Sequence, residues 1–324
     1  MTKNMNLLSA KVGKNDEFYT QYKDVERELL HYKHHYRNKT VYCNCDDPSR
    51  SAFWKYFHLN FAELGLKKLI STHYDREEAT YKMEYTGGND NDIEVGVKTP
   101  LEGNGGFRNQ ECLDLLNECD IVVTNPPFSL FSQLITTLLS YDKKFLVIGN
   151  KNAIGYKDFF PLLQKDTVWL GYNNIKNFDR PDGTVQNFGN IGWFTNLEID
   201  KQNEFLELTR KYDAAEMPTY KNYGAININR VKDIPKDYFG IMGVPISFLD
   251  KYNPTQFEIV GMDRNSQVEK LGIDKIGGEM LQRYFEQGGK GHYTENMHSL
   301  VYLDHEGKVV FPYRRLLIRR KENS

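Results

Sequence analysis

The sequence predicts an α/β fold in which a parallel, doubly wound sheet fills the first two-thirds and an irregular, β-rich region follows. Three observations carry this. Up to about residue 200, short runs rich in Val, Ile and Leu alternate with stretches patterned as amphipathic helices. The runs do not alternate cleanly between apolar and polar, as expected of strands covered on both faces. Beyond that point Pro218, Pro235, Pro245 and Pro254 and the glycine pairs at 277–278 and 288–289 break the rhythm. The expected division is residues 1–200 and 201–324.

The elements follow in order. A first helix, about Asp24 to Tyr36, presents Val25, Leu29 and Tyr32 to a core. Thr40–Cys43 reads as the first strand. The next helix carries Phe53, Phe57, Phe61 and Leu64 at three-to-four spacing, with Ser49 or Ser51 as its cap. Lys68–Tyr74, Ile121–Thr124, Phe145–Ile148 and Thr167–Leu170 read as further strands. Another helix, after residue 128, has Leu130, Phe131, Leu134, Ile135 and Leu138 on one stripe. Residues 84–110 and 172–190, rich in Gly, Asn and Asp, read as long surface loops, which are often functional.

Composition narrows the classes. A chain of 324 residues with 40% hydrophobic and 27% charged residues can bury a substantial core and is neither collagen-like nor broadly disordered. With a mean hydropathy of -0.63, no run approaches the roughly 18 apolar residues of a membrane span. Met1–Lys14 is polar, so a cytoplasmic protein with no membrane partner is expected. Cys43, Cys45, Cys112 and Cys119 lack the two-residue knuckle of a zinc site, and His292, His298 and His305 have no cysteine nearby, so reduced thiols and no metal are expected. The 42 Lys+Arg against 44 Asp+Glu give a net charge of -2, whereas nucleic-acid binders are usually basic. By position the charge divides. Acidic residues such as Asp46, Asp47, Asp90 and Asp92 lie early, while Arg264, Arg283, Lys290, Arg314, Arg315, Arg319, Arg320 and Lys321 lie late. Near-neutrality is therefore compatible with a local basic face.

The informative segment is Asp120 to Phe128, a buried strand that ends in Asn125-Pro126-Pro127-Phe128 and runs into a helix. The two prolines remove two N–H donors and stiffen the turn, so the Asn125 amide and the Pro126 carbonyl can offer two acceptors to an exocyclic amino group. Phe128 supplies a stacking face for a planar ring. Such a site suits N-methylation of an amino group conjugated to an aromatic base.

Two further segments suit a cofactor. After the first strand, Asn44-Cys45-Asp46-Asp47-Pro48 has no glycine, unlike the loops that approach a pyrophosphate. Its two carboxylates would repel phosphate but attract a sulfonium and an α-ammonium, which favours S-adenosyl-L-methionine over a dinucleotide; alone, such a turn is also a common solvated one. The second strand ends near Asp75, where nucleotide-binding sheets hold a ribose diol. Phe18 and Tyr19 precede the first helix and can cover the methionine end.

With these segments in order, the sequence resembles the EcoRI-type adenine-specific DNA methyltransferases, through residues 16–22, 41–48, 65–71, 120–131, 141–145 and 233–254. The resemblance implies a Rossmann-like S-adenosylmethionine-dependent methyltransferase sheet, a C-terminal target-recognition region, and adenine-N6 methylation of double-stranded DNA. Because N6 of a paired adenine lies inside the duplex, base flipping is expected. By motif match it implies Phe18, Tyr19 and Thr20 as the N-terminal cofactor segment, Asn44, Asp46 and Asp47 as the loop after the first strand, and Asn125, Pro126, Pro127 and Phe128 as the catalytic tetrapeptide. It also implies a restriction–modification setting with a cognate restriction endonuclease acting separately, though an orphan enzyme would look the same; a monomer or weak dimer is expected. Leu101–Arg108 departs from the family pattern. Gly106 stands ahead of Phe107 where an aspartate is expected, leaving Glu102 or a backbone amide near Phe107 as substitutes. The rival readings are methylation of RNA adenine, methylation of a protein glutamine at N5, and a silent DNA-binding module. Base-edge readers are expected among residues 173–187, 220–232 and 264–292.

Overall fold

The computed structural model describes residues 18–74, 79–180, 182–263 and 267–322. The chain divides into two compact units. One is Met1–Ala153 with Val168–Ile199, and the other is Ile154–Thr167 with Asp200–Ser324.

The first unit is built on a nine-stranded sheet. Its elements are β1 (Tyr19–Thr20), α1 (Tyr22–Leu29), α2 (Lys33–Tyr36), β2 (Thr40–Cys43), α3 (Ala52–Leu59), α4 (Phe61–Leu64), β3 (Lys68–His73), β4 (Tyr81–Tyr85), β5 (Val97–Pro100), α5 (Gln110–Glu118), β6 (Ile121–Thr124), α6 (Phe131–Ser140), β7 (Lys144–Asn150), β8 (Trp169–Asp179) and β9 (Val185–Thr195). The spatial order is β1-β8-β9-β7-β6-β2-β3-β4-β5. The central four, β7-β6-β2-β3, are parallel. β4 and β5 extend one side in antiparallel fashion, and β9, β8 and β1 the other. The sheet is therefore mixed, not parallel throughout. The chain leaves β2 for β3 on one side and later fills β6 on the other. Open α/β sheets hold ligands outside the strand carboxyl ends at such a reversal.

Burial explains the central strands. All four residues of β2 and of β6 are buried, as a strand covered on both faces requires. Val41, Leu69, Ile121, Val123, Leu146 and Ile148 pack with Phe53, Trp54 and Phe57 of α3 in one core. Ser51, not Ser49, caps α3: its Oγ accepts from Phe53 N at 3.1 Å and Trp54 N at 3.2 Å.

Two expected loops are strands. Residues 84–110 contain the end of β4 and all of β5, whose four residues are exposed and so show no hydrophobic pattern. Residues 172–190 belong to the hairpin β8–β9, and the expected strand Thr167–Leu170 is the start of its antiparallel first arm. The hairpin hides from pattern reading because it is bulged. Its register shifts between Leu170 and Asn174 and again between Ile175 and Asn177, which breaks the period of two.

A buried carboxylate fixes the first bulge. Glu28 of α1 is 0% exposed and accepts from Tyr172 N at 2.7 Å, Asn173 N at 2.8 Å, Asn173 Nδ2 at 2.9 Å and Tyr32 Oη at 3.0 Å. These backbone donors are the ones the bulge removes from the ladder. Gly171 is required beside them, because a Cβ there would lie 2.3 Å from Glu28 Oε1 and 2.6 Å from Trp193 Cβ. Burial pushes the Glu28 carboxyl upward and its four donors pull it back.

The second unit holds α7 (Phe160–Gln164), β10 (Ala225–Asn227), β11 (Ile241–Pro245), β12 (Phe257–Met262), α8 (Gln267–Leu271), α9 (Gly278–Glu286), β13 (Tyr302–Leu303), β14 (Val309–Val310) and β15 (Arg315–Arg320). Its four-stranded sheet runs β10-β11-β15-β12, beside a two-stranded pair β13-β14. Arg315 is not a surface residue: it is 8% exposed, and its guanidinium donates to Asn227 Oδ1 at 3.0 Å and Asn229 Oδ1 at 3.2 Å. Arg264 lies outside the described residues. Among the described residues, no helix is long and apolar enough to cross a membrane.

Replacing Glu28 by Ala strands three buried or half-buried N–H donors. Equilibrium urea unfolding should show a loss of about 3 kcal/mol or more.

Candidate active site

The reversal point of the first unit brings the two informative turns together. Residues 44–47 leave β2, residues 125–128 leave β6, and the strands are neighbours. Asp46 joins them. Its carboxylate accepts from Thr124 Oγ1 at 2.7 Å, from Ser51 Oγ at 3.1 Å and from the backbone N–H of Asn125. Although the residue keeps some exposure, burial around the carboxylate pushes its pKa up to about 7, against the pull of those hydrogen bonds. Asp46 O is held in turn by Ser71 Oγ of β3 at 2.5 Å.

Asp47 is equally engaged. It accepts from Ser49 N at 3.0 Å, Ser49 Oγ at 2.8 Å and Tyr81 Oη at 3.1 Å, and lies 3.6 Å from His73 Nδ1. Asn44 contrasts with both. It is 1% exposed, and neither Oδ1 nor Nδ2 has a hydrogen-bond partner among the described residues. A buried amide left in that state costs roughly 1–3 kcal/mol per unmet group, so its atoms are groups a ligand would satisfy.

Asn125 is half satisfied. Its Nδ2 donates to Phe18 O at 2.7 Å, while its Oδ1 is buried without a partner among the described residues. A carbonyl only accepts, so this bond fixes the amide with its oxygen as the free acceptor. Phe128 has an offset-stacked neighbour in Phe18, with centroids 6.3 Å apart and planes at 13°. Phe178 and Phe188 meet Phe128 edge-on at 6.1 and 5.6 Å. These two hairpin aromatics were not legible as site residues, because they lie some fifty positions downstream in a stretch that reads as polar loop. Tyr19 Oη accepts from Arg50 Nη1 at 3.5 Å. Thr20 is buried with its Oγ1 unpaired among the described residues.

Phe107 is buried and follows a loop that meets the carboxyl end of β3. Gly105 has φ +70°, and a Cβ there would lie 2.1 Å from the His73 carbonyl, so the 103–107 loop rests directly on that strand end. The Gly106 N–H is taken by Asn104 Oδ1 at 3.0 Å. Glu102 is exposed, and its own N–H goes to Glu111 Oε1 at 3.1 Å. Asp75 lies outside the described residues. The four cysteines are free thiols, and no three His, Cys, Asp or Glu gather as a metal site requires among the described residues.

Comparison with known proteins decides the family. The description "Adenine-specific methyltransferase EcoRI" matches residues 6–321. The chain belongs to this family. Among similar curated proteins is "Type II methyltransferase M.EcoRI" of Escherichia coli, 42% identical over 300 residues, covering 83% of this chain and 92% of that one. "Type II methyltransferase M.MpnI" of Mycoplasma pneumoniae is 38% identical over 272 residues, 78% of this chain and 83% of that one. "Type II methyltransferase M.MgeORF184P" of Mycoplasma genitalium is 38% identical over 272 residues, with 78% and 84% covered. No solved structure matches the chain. For this member of the EcoRI methyltransferase family, the reaction class is methyl transfer to adenine, and the geometry above surrounds the segment where the sequence places that chemistry.

Asp46 makes this site pH-sensitive in a defined direction. A folded-state pKa raised from 3.8 to about 7 means that the folded protein holds a proton the unfolded chain has released. The Asp46 contribution to stability is thus full below about pH 4 and is lost as pH rises through about 7. Urea midpoints measured at pH 5 and pH 8 should show a fall with pH that is smaller in Asp46→Asn than in the wild type.

Proposed function

We propose that this chain is a site-specific DNA adenine-N6 methyltransferase that uses S-adenosyl-L-methionine and acts on an adenine swung out of duplex DNA, as in a Type II restriction–modification system. In this reading the first unit is the Rossmann-like catalytic part, and the second carries target recognition. The observation that carries it is the state of Asn125: an amide whose nitrogen is tied to Phe18 O and whose oxygen is left as a free acceptor.

The residues fit the cofactor by their own chemistry. The buried amide of Asn44 and Thr20 Oγ1, both unpaired among the described residues, are polar groups in want of partners, and the acidic turn suits a cationic ligand better than a phosphate. When bound, S-adenosyl-L-methionine supplies an electrophilic methyl group. Asn44, Thr20 and Asp47 would hold it, with Phe18, Tyr19 and Phe107 as apolar cover. Asp46 positions, fixing the Asn125 backbone to the loop after β2.

Asn125 Oδ1 and the Pro126 carbonyl accept from the two N–H groups of adenine N6. Those bonds would draw the nitrogen lone pair out of conjugation with the ring, so that it can bond the methyl carbon as the bond from that carbon to sulfur breaks. N6 of a paired adenine lies inside the duplex, so the base must leave the stack, and Phe128 offers it a stacking face. Once methylated, the nitrogen is acidic and its proton passes to water, so no strong general base is required.

Incubation with tritiated S-adenosyl-L-methionine and DNA, RNA or protein should label DNA; label in RNA or protein instead would overturn the assignment. Asn125→Ala should abolish transfer while isothermal titration still detects cofactor binding. Phe128→Ala should weaken capture of an unstacked base by roughly 1–3 kcal/mol, read as DNA affinity on a duplex with a mismatch at the target adenine.

A further inference from the structure

The hairpin β8–β9 has a second face that methyl transfer does not use. β7 ends at Asn150, opposite Ile191, so residues 185–190 of β9 continue past the carboxyl edge of the parallel strands with β8 as their ladder partner. This is a two-stranded ribbon roughly 20 Å long. One face holds Phe178 and Phe188 against Phe128. The other carries Asn177 and Asn187, paired directly across the strands, with exposed Val185 and its cross-strand partner Asp179 beside them.

Asn187 Nδ2 donates to Asn177 Oδ1 at 3.0 Å. Whichever amide donates, a carboxamide pair of this kind leaves an N–H and a C=O over on the same face. An adjacent donor and acceptor match a base edge, and the major groove has the width to admit a two-stranded ribbon. Charge points the same way. Between residues 176 and 187, Lys176 and Arg180 are balanced by Asp179 and Asp182. A neutral ribbon gains little from phosphates, whereas amides discriminate bases.

We propose that this ribbon enters the major groove beside the target adenine and that Asn177 and Asn187 together read one flanking base pair. The inference rests on the methyltransferase reading above and adds to it a specificity element located in the catalytic unit.

Plasmid DNA is methylated by the full-length wild type, by Asn177→Ala/Asn187→Ala and by Asn187→Asp, and N6-methyladenine positions are read by single-molecule sequencing. The wild type should mark one sequence. The double variant should also mark sites that differ at one flanking position, with discrimination there reduced roughly tenfold to a hundredfold. Asn187→Asp, which exchanges the amide N–H donors for an acceptor, should shift preference at that position toward a base pair presenting the cytosine N4 amine. An unchanged marked sequence in both variants overturns the inference. So does complete loss of methylation by both with wild-type melting temperatures, which would tie the pair to the reaction and not to sequence choice. Failure of the wild type to mark any DNA overturns the methyltransferase reading, and the ribbon's role with it.

Discussion

Asp46 ties the end of β2 to the end of β6, and the rest of the site is arranged around that tie. Parallel neighbours share ladder bonds, but the pairing of β2 with β6 ends at Tyr42 and Val122, and the two turns beyond would be free to move apart. One carboxylate closes that gap by accepting from Thr124, from the Asn125 backbone and from the cap of the following helix. Everything that needs Asn125 at a fixed place inherits its position from this contact. The cost is a carboxyl group held away from water, which its three donors offset only in part.

Around this tie the polar groups fall into two classes. Asp46, Asp47 and Ser51 are engaged by protein partners, Asp47 with acceptor capacity to spare, whereas Asn44, Thr20 and the oxygen of Asn125 are buried with unmet capacity among the described residues. Folding alone gives no reason for the second class, since each unmet buried group lowers stability. Asn44 and Asn125 follow the carboxyl ends of the neighbouring strands β2 and β6, where a polar ligand would meet them. This placement is also consistent with membership of a methyltransferase family.

Much of the first unit was legible in the sequence, for a physical reason. β2 and β6 are fully buried and contiguous, so each shows a run of three apolar residues beside a threonine, with no polar alternation. The turns after them were legible because the chemistry is local in sequence: Asn125 to Phe128 and Asn44 to Asp47 each form a single string. What could not be read depended on distance or irregularity. Phe178 and Phe188 meet Phe128 only through a hairpin whose bulges scramble the alternation, and β5 is exposed throughout. The late basic residues misled in one respect. Arg315 belongs to a buried network with Asn227 and Asn229, so a count of charges overstated the basic surface.

The grip of Glu28 on Tyr172 and Asn173 spans 144 and 145 positions of sequence. During synthesis the carboxylate emerges early, and its backbone partners in the hairpin are not made until about half of the chain has been synthesised. Until then Glu28 is better off in water, and α1 has reason to stay undocked from the sheet. Closing so long a loop is entropically unfavourable, though the cost grows only logarithmically with length. The hairpin that walls the site, and β1 that pairs with it, therefore belong to a late stage of assembly. A nascent chain shorter than about 173 residues would contain both turns of the site and yet lack the wall around Phe128, so catalytic competence must come after translation of the hairpin, however early the central strands have formed.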